Sequence, residues 1–289
     1  MNDLLYYIFR FYYFLVTHTP KKLKKIIIDI FAFLVWHLDF FRKKVVLKNL
    51  EIAFPKMSKK ERIKIAKQFY KNFIFYMTDI IDSLNISKEE LRNKVIIKEE
   101  QNLKLALNSN KPIVFMTAHF GNWEVAPKVI GAFYKEMVVL MREFDNPKIG
   151  EFFKKSRSSF NISPLNKKKS AREIIKAFKE NKALGVLIDQ HSTSNTAIEV
   201  EFFNKKVKFN RGISTLAKKF DAIIVPMFTY FENGKYILEF QTPREFRNGD
   251  TIESFTQWQA TTIENMIKRY PSEYYWFHKR FKNIEGIYK

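Results

Sequence analysis

Five histidines and no cysteine narrow the chemistry available to the 289 residues of the chain. Without cysteine, disulfides, thiolate metal sites, iron–sulfur clusters and thiol nucleophiles are excluded. No two histidines have the spacing of a zinc-binding helix, which argues against metal catalysis. The glycines form no G-x-G-x-x-G, no Walker loop and no G-x-S-x-G. The sequence therefore lacks the usual motifs of dinucleotide-binding folds, P-loop enzymes and α/β-hydrolases.

One histidine lies where α/β enzymes keep their catalytic groups. His119 follows the apolar run IVFMTA, which has the length of a buried strand, and opens the segment HFGNWE. Catalytic groups in open α/β sheets lie at the carboxyl ends of strands. With Glu124 in the first turns of the following helix, its carboxylate could accept a hydrogen bond from one ring nitrogen of His119 and make the other more basic. The pattern predicts a base for a hydroxyl group, and a hydrogen-bonded core histidine is the simpler alternative.

The segments around His119 alternate between strand and helix patterns. Apolar runs of strand length occupy residues 113–117, 137–141, 184–188, 222–229 and 236–241. Helical patterns separate them and end with a long helix over 252–270. Residues 1–110 look almost wholly helical, with capping-box spacings at Ser58–Glu61 and Ser87–Glu90. The pattern predicts an α/β fold with a mostly parallel central sheet flanked by helices and an all-helical N-terminal region.

The composition combines strong positive charge with many aromatic residues. Lys and Arg number 51 against 30 Asp and Glu, a formal net charge of +21, and 30 residues are Phe. Such a chain suits nucleic acid, with phosphates on lysines and bases stacked on rings. It suits an anionic membrane surface equally well. Composition alone leaves both open.

The first 45 residues favour the membrane. Residues 4–16 and 26–41 are apolar and rich in aromatic side chains, and basic residues flank the second stretch on both sides. That stretch is shorter than the roughly 20 residues of a spanning helix and carries Asp29, His37 and Asp39. We expect helices that lie in the interface or form a marginal anchor. The alternative is a buried helical hairpin.

Several blocks, in order along residues 40–282, resemble the late acyltransferases of lipid A biosynthesis, within the glycerolipid acyltransferase superfamily. HFGNWE resembles the family's H-x4-(D/E) block, and REFDNP at 142–147 resembles its R-x-x-D-N-P block. Further similarity covers Arg157, the stretch 171–190, the segment from Phe202 to Pro226 and the ending WFHKRFK. The chain departs from the family pattern at 190–192 and 204–213, both near the expected substrate surface.

The resemblance implies a reaction and a location. A fatty acyl chain would pass from acyl carrier protein to a hydroxyl of a lipid A precursor, without metal or redox cofactor, at the cytoplasmic face of the bacterial inner membrane. His119 would be the general base and Glu124 its orienting partner. Arg157 would stabilise the oxyanion or hold the acceptor. The other residues that would bind substrate in the cleft are Asn122, Arg142, Asp189 and Gln190.

The resemblance also divides the chain and suggests its partners. Residues 1–45 would be membrane-interacting helices, and residues 46–289 the acyltransferase domain, helical over 46–110 and α/β over 111–289. Residues 141–182 hold twelve Lys and Arg against five Asp and Glu. This charge would attract an acidic carrier protein, a phosphorylated lipid acceptor and an anionic membrane surface.

Two alternatives differ in substrate class. The same H-x4-(D/E) block would serve acylation of another membrane lipid, such as a glycerophospholipid or a glycolipid. A nucleic-acid-binding protein would need exposed aromatic residues interleaved with basic ones. Most aromatic residues here lie in apolar runs instead. We therefore expect no nucleic-acid partner.

Overall fold

The computed structural model describes residues 2–38, 41–141, 144–166, 170–192 and 197–288. The helices in these ranges are α1 (Asn2–His18), α2 (Lys21–His37), α3 (Lys43–Ala53), α4 (Lys59–Asp82), α5 (Lys88–Lys94), α6 (Glu100–Leu107), α7 (Val125–Phe133), α8 (Pro147–Ser158), α9 (Ser170–Lys179), α10 (Gly212–Phe220) and α11 (Ile252–Arg269). The strands are β1 (Val95–Lys98), β2 (Ile113–Thr117), β3 (Met137–Met141), β4 (Ile162–Asn166), β5 (Ala183–Leu187), β6 (Ala197–Phe202), β7 (Lys205–Asn210), β8 (Ile223–Glu232) and β9 (Lys235–Phe240).

Most of the described strands form one sheet of seven, in the order β1-β9-β8-β2-β5-β3-β4. Strands β8 and β9 are antiparallel, and the other neighbouring pairs in this sheet are parallel. Strands β6 and β7 form a separate antiparallel hairpin. The predicted α/β class, with a mostly parallel sheet flanked by helices, is confirmed.

Strand β2 shows that both faces of the sheet are covered. All five of its residues are buried. Ile113 and Phe115 pack into one apolar cluster, whereas Val114 and Met116 pack into another. Successive side chains of a strand point to opposite faces, so each cluster lies on one side of the sheet. A continuous apolar run is the pattern expected for a parallel strand buried on both faces.

The strands that the sequence pattern missed are short or polar. Strand β1 has only four residues and lies at one edge of the sheet, within the region that we expected to be wholly helical. Strand β4, at the opposite edge, contains Pro164, which an edge strand tolerates because fewer of its backbone N–H groups are paired. In β6 and β7 charged residues alternate with apolar ones, and this alternation is a strand signal that the sequence analysis overlooked.

The predicted capping boxes are present at the two helices. The Ser58 hydroxyl accepts a hydrogen bond from the Glu61 backbone N–H at 3.2 Å, and the Glu61 carboxylate accepts one from Ser58 N–H at 2.7 Å. Ser87 and Glu90 repeat this arrangement at α5. Each box satisfies backbone donors that the first turn leaves unpaired, so local sequence sets where these helices begin.

The two N-terminal helices pack on the rest of the molecule along one side only. The Tyr12 hydroxyl lies 3.0 Å from Thr78 Oγ1 on α4, and the ring of Phe9 packs edge-on against Phe152 on α8. Their outward faces remain exposed, including Phe11 at 65% and Phe33 at 61%. Across the ranges that the structure describes, no helix combines the length and apolar character needed to cross a membrane.

Candidate active site

Strand register brings His119 and Asp189 together. Strands β2 and β5 are parallel neighbours, and Thr117 at the end of β2 pairs with Leu187 at the end of β5. His119 and Asp189 each follow two residues later, so the two chains leave the sheet side by side. His119 Nδ1 lies 2.8 Å from Asp189 Oδ1, and the His119 backbone N–H donates to the same oxygen at 3.1 Å. The carboxylate therefore fixes both the backbone and the ring of this histidine.

The second ring nitrogen of His119 faces the open side. The side chain of His119 is 21% exposed, whereas that of Asp189 is only 2% exposed. When the ring is neutral, Nδ1 donates to the carboxylate and Nε2 keeps its lone pair. The Gln190 amide nitrogen lies 3.5 Å from Nε2. The rings of Trp123 and Tyr275 flank the imidazole, at centroid distances of 5.1 and 5.7 Å. A substrate hydroxyl could approach Nε2 by displacing the exposed Gln190 side chain.

The charge state of Asp189 reflects two opposing effects. Burial raises the pKa of this carboxyl group, because a charge is costly away from water. The positive charge and the hydrogen bonds of His119 outweigh burial, so the pKa lies below its ordinary value of 3.8. Asp189 is therefore ionised at neutral pH and can stabilise positive charge on the imidazole ring.

Glu124 pairs with Arg157 instead of His119. Arg157 Nη2 donates to Glu124 Oε1 at 2.7 Å, and its Nε donates to Oε2 at 3.2 Å. Glu124 sits immediately before α7 with helical backbone angles, and Arg157 lies in the last turn of α8. The side chains of the pair are 19% and 8% exposed. This geometry corrects the expected hydrogen bond between Glu124 and His119, because the carboxylate is held by a two-pronged bond to a guanidinium group.

Asn122 lies inside the protein, with 1% of its surface exposed. Its amide nitrogen donates to Asp79 Oδ2 at 3.2 Å and to the Tyr236 hydroxyl at 3.1 Å. Its amide oxygen accepts a hydrogen bond from the Glu124 backbone N–H at 3.3 Å. These partners connect the loop after β2 to α4 and β9. The side chain shapes the loop, and this geometry does not support the expected substrate contact.

The turn after His119 needs a glycine. Gly121 has φ +53°, a left-handed conformation, and a Cβ atom there would lie 1.7 Å from the backbone oxygen of Thr229. Its N–H donates to the backbone oxygen of Glu273 at 2.8 Å, and Phe120 forms a β-bridge with Tyr274. The Tyr275 N–H donates to the His119 carbonyl at 2.9 Å. The C-terminal segment thus holds the loop that carries His119.

With this geometry established, comparison with known proteins identifies the family. The family model described as bacterial lipid A biosynthesis acyltransferase matches residues 2–283. The chain belongs to this family. The resemblance inferred from the sequence motifs is therefore confirmed.

Named relatives of the lipid A acyltransferase family agree with this assignment. The chain is 24% identical over 250 residues to the lipid A biosynthesis lauroyltransferase of Escherichia coli, covering 85% of this chain and 81% of that protein. It is also 24% identical over 245 residues to the lipid A biosynthesis palmitoleoyltransferase of the same organism, covering 83% and 79%. Apart from the family assignment, the chain aligns with the crystal structure of the 1-acyl-sn-glycerophosphate acyltransferase from Thermotoga maritima at a TM-score of 0.44 and 10% identity, covering 89% of this chain and all of that one.

Apart from the buried Asn122, the predicted site residues that the structure describes form two groups. His119, Asp189 and Gln190 meet at the carboxyl ends of β2 and β5. Glu124 and Arg157 meet between α7 and α8. Arg142 lies outside the described residues.

Sequence reasoning missed the aromatic residues around the His119 ring. Trp123 belongs to the same HFGNWE segment as His119, and its ring also lies 6.1 Å from that of Tyr275. Tyr275 directly precedes the ending WFHKRFK, which carried part of the family resemblance. The position of Trp123 within one motif and of Tyr275 beside the other was the signal that could have identified them. The distance between residues 119 and 275 along the chain concealed their contact.

Proposed function

We propose that this protein transfers a fatty acyl chain from acyl carrier protein to a hydroxyl of a lipid A precursor, with His119 as general base. One observation carries this assignment. Asp189 holds His119 Nδ1 at 2.8 Å while Nε2 remains on the accessible side. A neutral imidazole oriented in this way can remove a proton from a hydroxyl group.

The reaction would proceed without a covalent enzyme intermediate. As the acceptor hydroxyl gives its proton to Nε2, its oxygen attacks the thioester carbonyl and a tetrahedral oxyanion forms. Asp189 stabilises the imidazolium that results. When the intermediate collapses, the carbon–sulfur bond breaks and the thiolate takes the proton from Nε2. His119 and Asp189 thereby return to their starting states.

Arg157 and Glu124 would act together beside this centre. Two of the Arg157 nitrogens hold Glu124, and Nη1 lies 3.1 Å from the sulfur of Met141. In this arrangement the pair fixes the start of α7, and hence the loop of His119, against α8. Arg157 also remains our candidate to stabilise the oxyanion or hold the acceptor. Arg142 and Gln190 remain proposed substrate-binding residues.

The N-terminal helices would place the enzyme on an anionic membrane surface. The apolar side chains on the outward faces of α1 and α2 suit the acyl region of one leaflet. Lys21, Lys22 and Lys25 at the start of α2 are exposed and suit anionic headgroups. We propose that α1 and α2 bind the cytoplasmic face of the inner membrane, where the lipid acceptor and the carrier protein would meet.

The test is an assay with defined substrates. The purified full-length protein in lipid nanodiscs receives a lauroyl-loaded acyl carrier protein and either a lipid A precursor or a glycerophospholipid bearing a free hydroxyl. Mass spectrometry should show one added acyl chain on the lipid A precursor only. His18→Ala, in the exposed α1 helix, serves as a matched control for His119→Ala. Acylation of the glycerophospholipid alone would overturn the proposed acceptor, and normal turnover by His119→Ala would overturn the proposed base.

A further inference from the structure

Basic side chains from two segments lie near His191, two residues beyond Asp189. His278, Arg280 and Lys282 come from the C-terminal segment, and Lys208 comes from β7. The His191 backbone N–H donates to His278 Nε2 at 3.0 Å. Arg280 Nη1 donates to the Lys208 carbonyl at 3.0 Å. We call these residues the basic cluster: His191, Lys208, His278, Arg280 and Lys282.

Two members of the basic cluster have buried polar atoms without a partner. Arg280 is only 1% exposed, and its guanidinium carbon lies 4.1 Å from the centroid of the Phe209 ring. Among the described residues, its Nε and Nη2 have no hydrogen-bond partner, and neither has the buried Nδ1 of His191. A buried polar group without a partner is costly, and an anion that accepted hydrogen bonds from Arg280 would offset that cost. A guanidinium group is a preferred ligand for phosphate oxygens.

The electrostatics of the basic cluster favour an anion. Burial, together with the charges of Lys282, Arg280 and Lys208, lowers the pKa of His191 to about 4. Burial also lowers the pKa of His278 to about 4, with Asp189 opposing and Arg280 and Lys282 assisting the change. Both imidazoles are therefore neutral at pH 7. Burial also lowers the pKa of Arg280 to about 10, which leaves its guanidinium group charged at pH 7. The negative charge of Asp189 raises the pKa of both His278 and Arg280. The Oδ1 atom of Asp189 already accepts hydrogen bonds from His119.

The basic cluster adjoins Gln190, the residue whose side chain lies next to His119 Nε2. Its first residue, His191, directly follows Gln190, whose amide nitrogen is 3.5 Å from His119 Nε2. A ligand that binds near His191 through an anionic group could therefore also reach the imidazole ring of His119. The exposed lysines Lys208 and Lys282 show no ion pair within the described chain, so their charges are available to a ligand.

We propose that the basic cluster binds a phosphate ester of one substrate and thereby positions that substrate at His119. The inference rests on the acyl transfer proposed above and extends it to the group that is recognised. Both substrates would carry such chemistry: the lipid acceptor as a phosphate on its sugar, and the carrier protein as the phosphodiester of its pantetheine arm. The shared ligand is a phosphate ester, and an experiment can distinguish its source.

The test substitutes the exposed members of the cluster, because Arg280 also anchors the C-terminal segment on the β6–β7 hairpin. The variants are Lys208→Gln and Lys282→Gln. Lys206→Gln is the matched control, since Lys206 lies two residues before Lys208 on the same strand and pairs with Glu199 at 3.2 Å. Each protein is assayed in nanodiscs with the lipid acceptor, with its dephosphorylated form, and with a pantetheine thioester that lacks the donor phosphate.

We expect each cluster variant to raise KM for the phosphate-bearing substrate about tenfold, the loss of one charge-assisted contact, with little change in kcat. Lys206→Gln should match the unmodified protein. If the difference disappears only with the dephosphorylated acceptor, the acceptor supplies the phosphate; if only with the shortened donor, the donor does. Equal KM values for Lys208→Gln, Lys282→Gln and Lys206→Gln with every substrate would overturn the inference.

A binding measurement separates this inference from the proposed reaction. Inorganic phosphate is titrated into the full-length protein while the ring signals of ¹⁵N-labelled histidines are followed by NMR. The signals of His191 and His278 should move, and the movement should weaken in Lys208→Gln. If the protein acylates no acceptor yet these signals move, the reaction is refuted and the anion site stands. If they do not move, the anion site is refuted whatever the enzyme acylates.

Discussion

Asp189 and Glu124 both lie close to the loop that carries His119, yet they hold different partners. Asp189 is nearly fully buried and holds a histidine through its ring and its backbone. Glu124 is 19% exposed and holds the guanidinium of Arg157. Asp189 comes from a strand end beside that of His119, whereas Glu124 precedes the helix that follows the loop. Strand register therefore places the carboxylate that orients His119, and helix packing places the one that supports the loop.

Loss of the two carboxylate charges should therefore affect different properties of the protein. The charge on Asp189 would act directly on the imidazole as it gains a proton, so its loss affects the transition state. The charge on Glu124 balances Arg157, a residue with 8% of its side chain exposed, so its loss first affects the packing of α7 on α8. Activity and stability should therefore respond in different proportions to substitution of each.

The largest effect should follow from Asp189→Asn. An asparagine keeps the size of the side chain and removes the charge that would stabilise the imidazolium. We expect kcat to fall about 10²–10⁴-fold, the range for impaired general-base catalysis, and His119→Ala to lose at least as much. The measurement is steady-state acyl transfer in nanodiscs, with circular dichroism to verify the fold.

Asp82→Asn is a suitable control for this charge change, because Asp82 pairs with Lys24 of α2 and has no contact with His119 among the described interactions. If Asp189→Asn retained near-normal kcat, or if Glu124→Gln alone gave the larger loss, Asp189 would not be the partner that matters to His119.

A smaller effect should follow from breaking the other pair. Glu124→Gln and Arg157→Gln should each reduce the free energy of unfolding by roughly 1.5–3 kcal/mol, as expected for charge-assisted hydrogen bonds. If the two residues act as a unit, the double variant should lose less than the sum of the single losses, in stability and in kcat/KM. Strictly additive losses would show that Arg157 contributes to catalysis independently of Glu124, as an oxyanion ligand would.

The contrast between the two pairs also explains what local sequence could predict. The apolar run before His119 and the run before Asp189 were both recognised as strands, so each residue was correctly expected at a strand end. That β2 lies beside β5 depends on the packing of the whole sheet, which a local pattern does not contain. The spacing of His119 and Glu124 therefore suggested a bond that the chain does not make.

Contacts with the C-terminal segment were hidden for a similar reason. Tyr275 lies against His119 although 156 positions separate them in the sequence. The ending WFHKRFK was recognisable as a motif, but its position next to the His119 loop depends on the β-bridge between Phe120 and Tyr274. Motifs identify which residues matter, and tertiary packing decides which of them meet.

The smallest effect should come from a third carboxylate beneath the same loop, Glu273, which has no cationic partner among the described residues. Glu273 accepts hydrogen bonds from the Tyr76 hydroxyl and, at 2.7 Å, from the Asn72 amide. Burial raises its pKa from 4.5 to about 7, and the hydrogen bond from Tyr76 only partly opposes this. The folded protein therefore holds a proton on Glu273 that the unfolded chain releases near pH 4.5.

Because the folded-state pKa is raised, the contribution of Glu273 to stability is fully present below about pH 4.5 and is lost as pH rises towards 7. Its slope is at most about 1.4 kcal/mol per pH unit. Glu273→Gln should remove that part of the pH dependence and leave a flatter curve in urea unfolding between about pH 5 and pH 7. Glu51→Gln, at an exposed position, should keep the original slope. An unchanged slope in Glu273→Gln would mean that this carboxyl group is ionised in the folded protein, as Asp189 is. Burial without a cation would then not distinguish the two carboxyl groups.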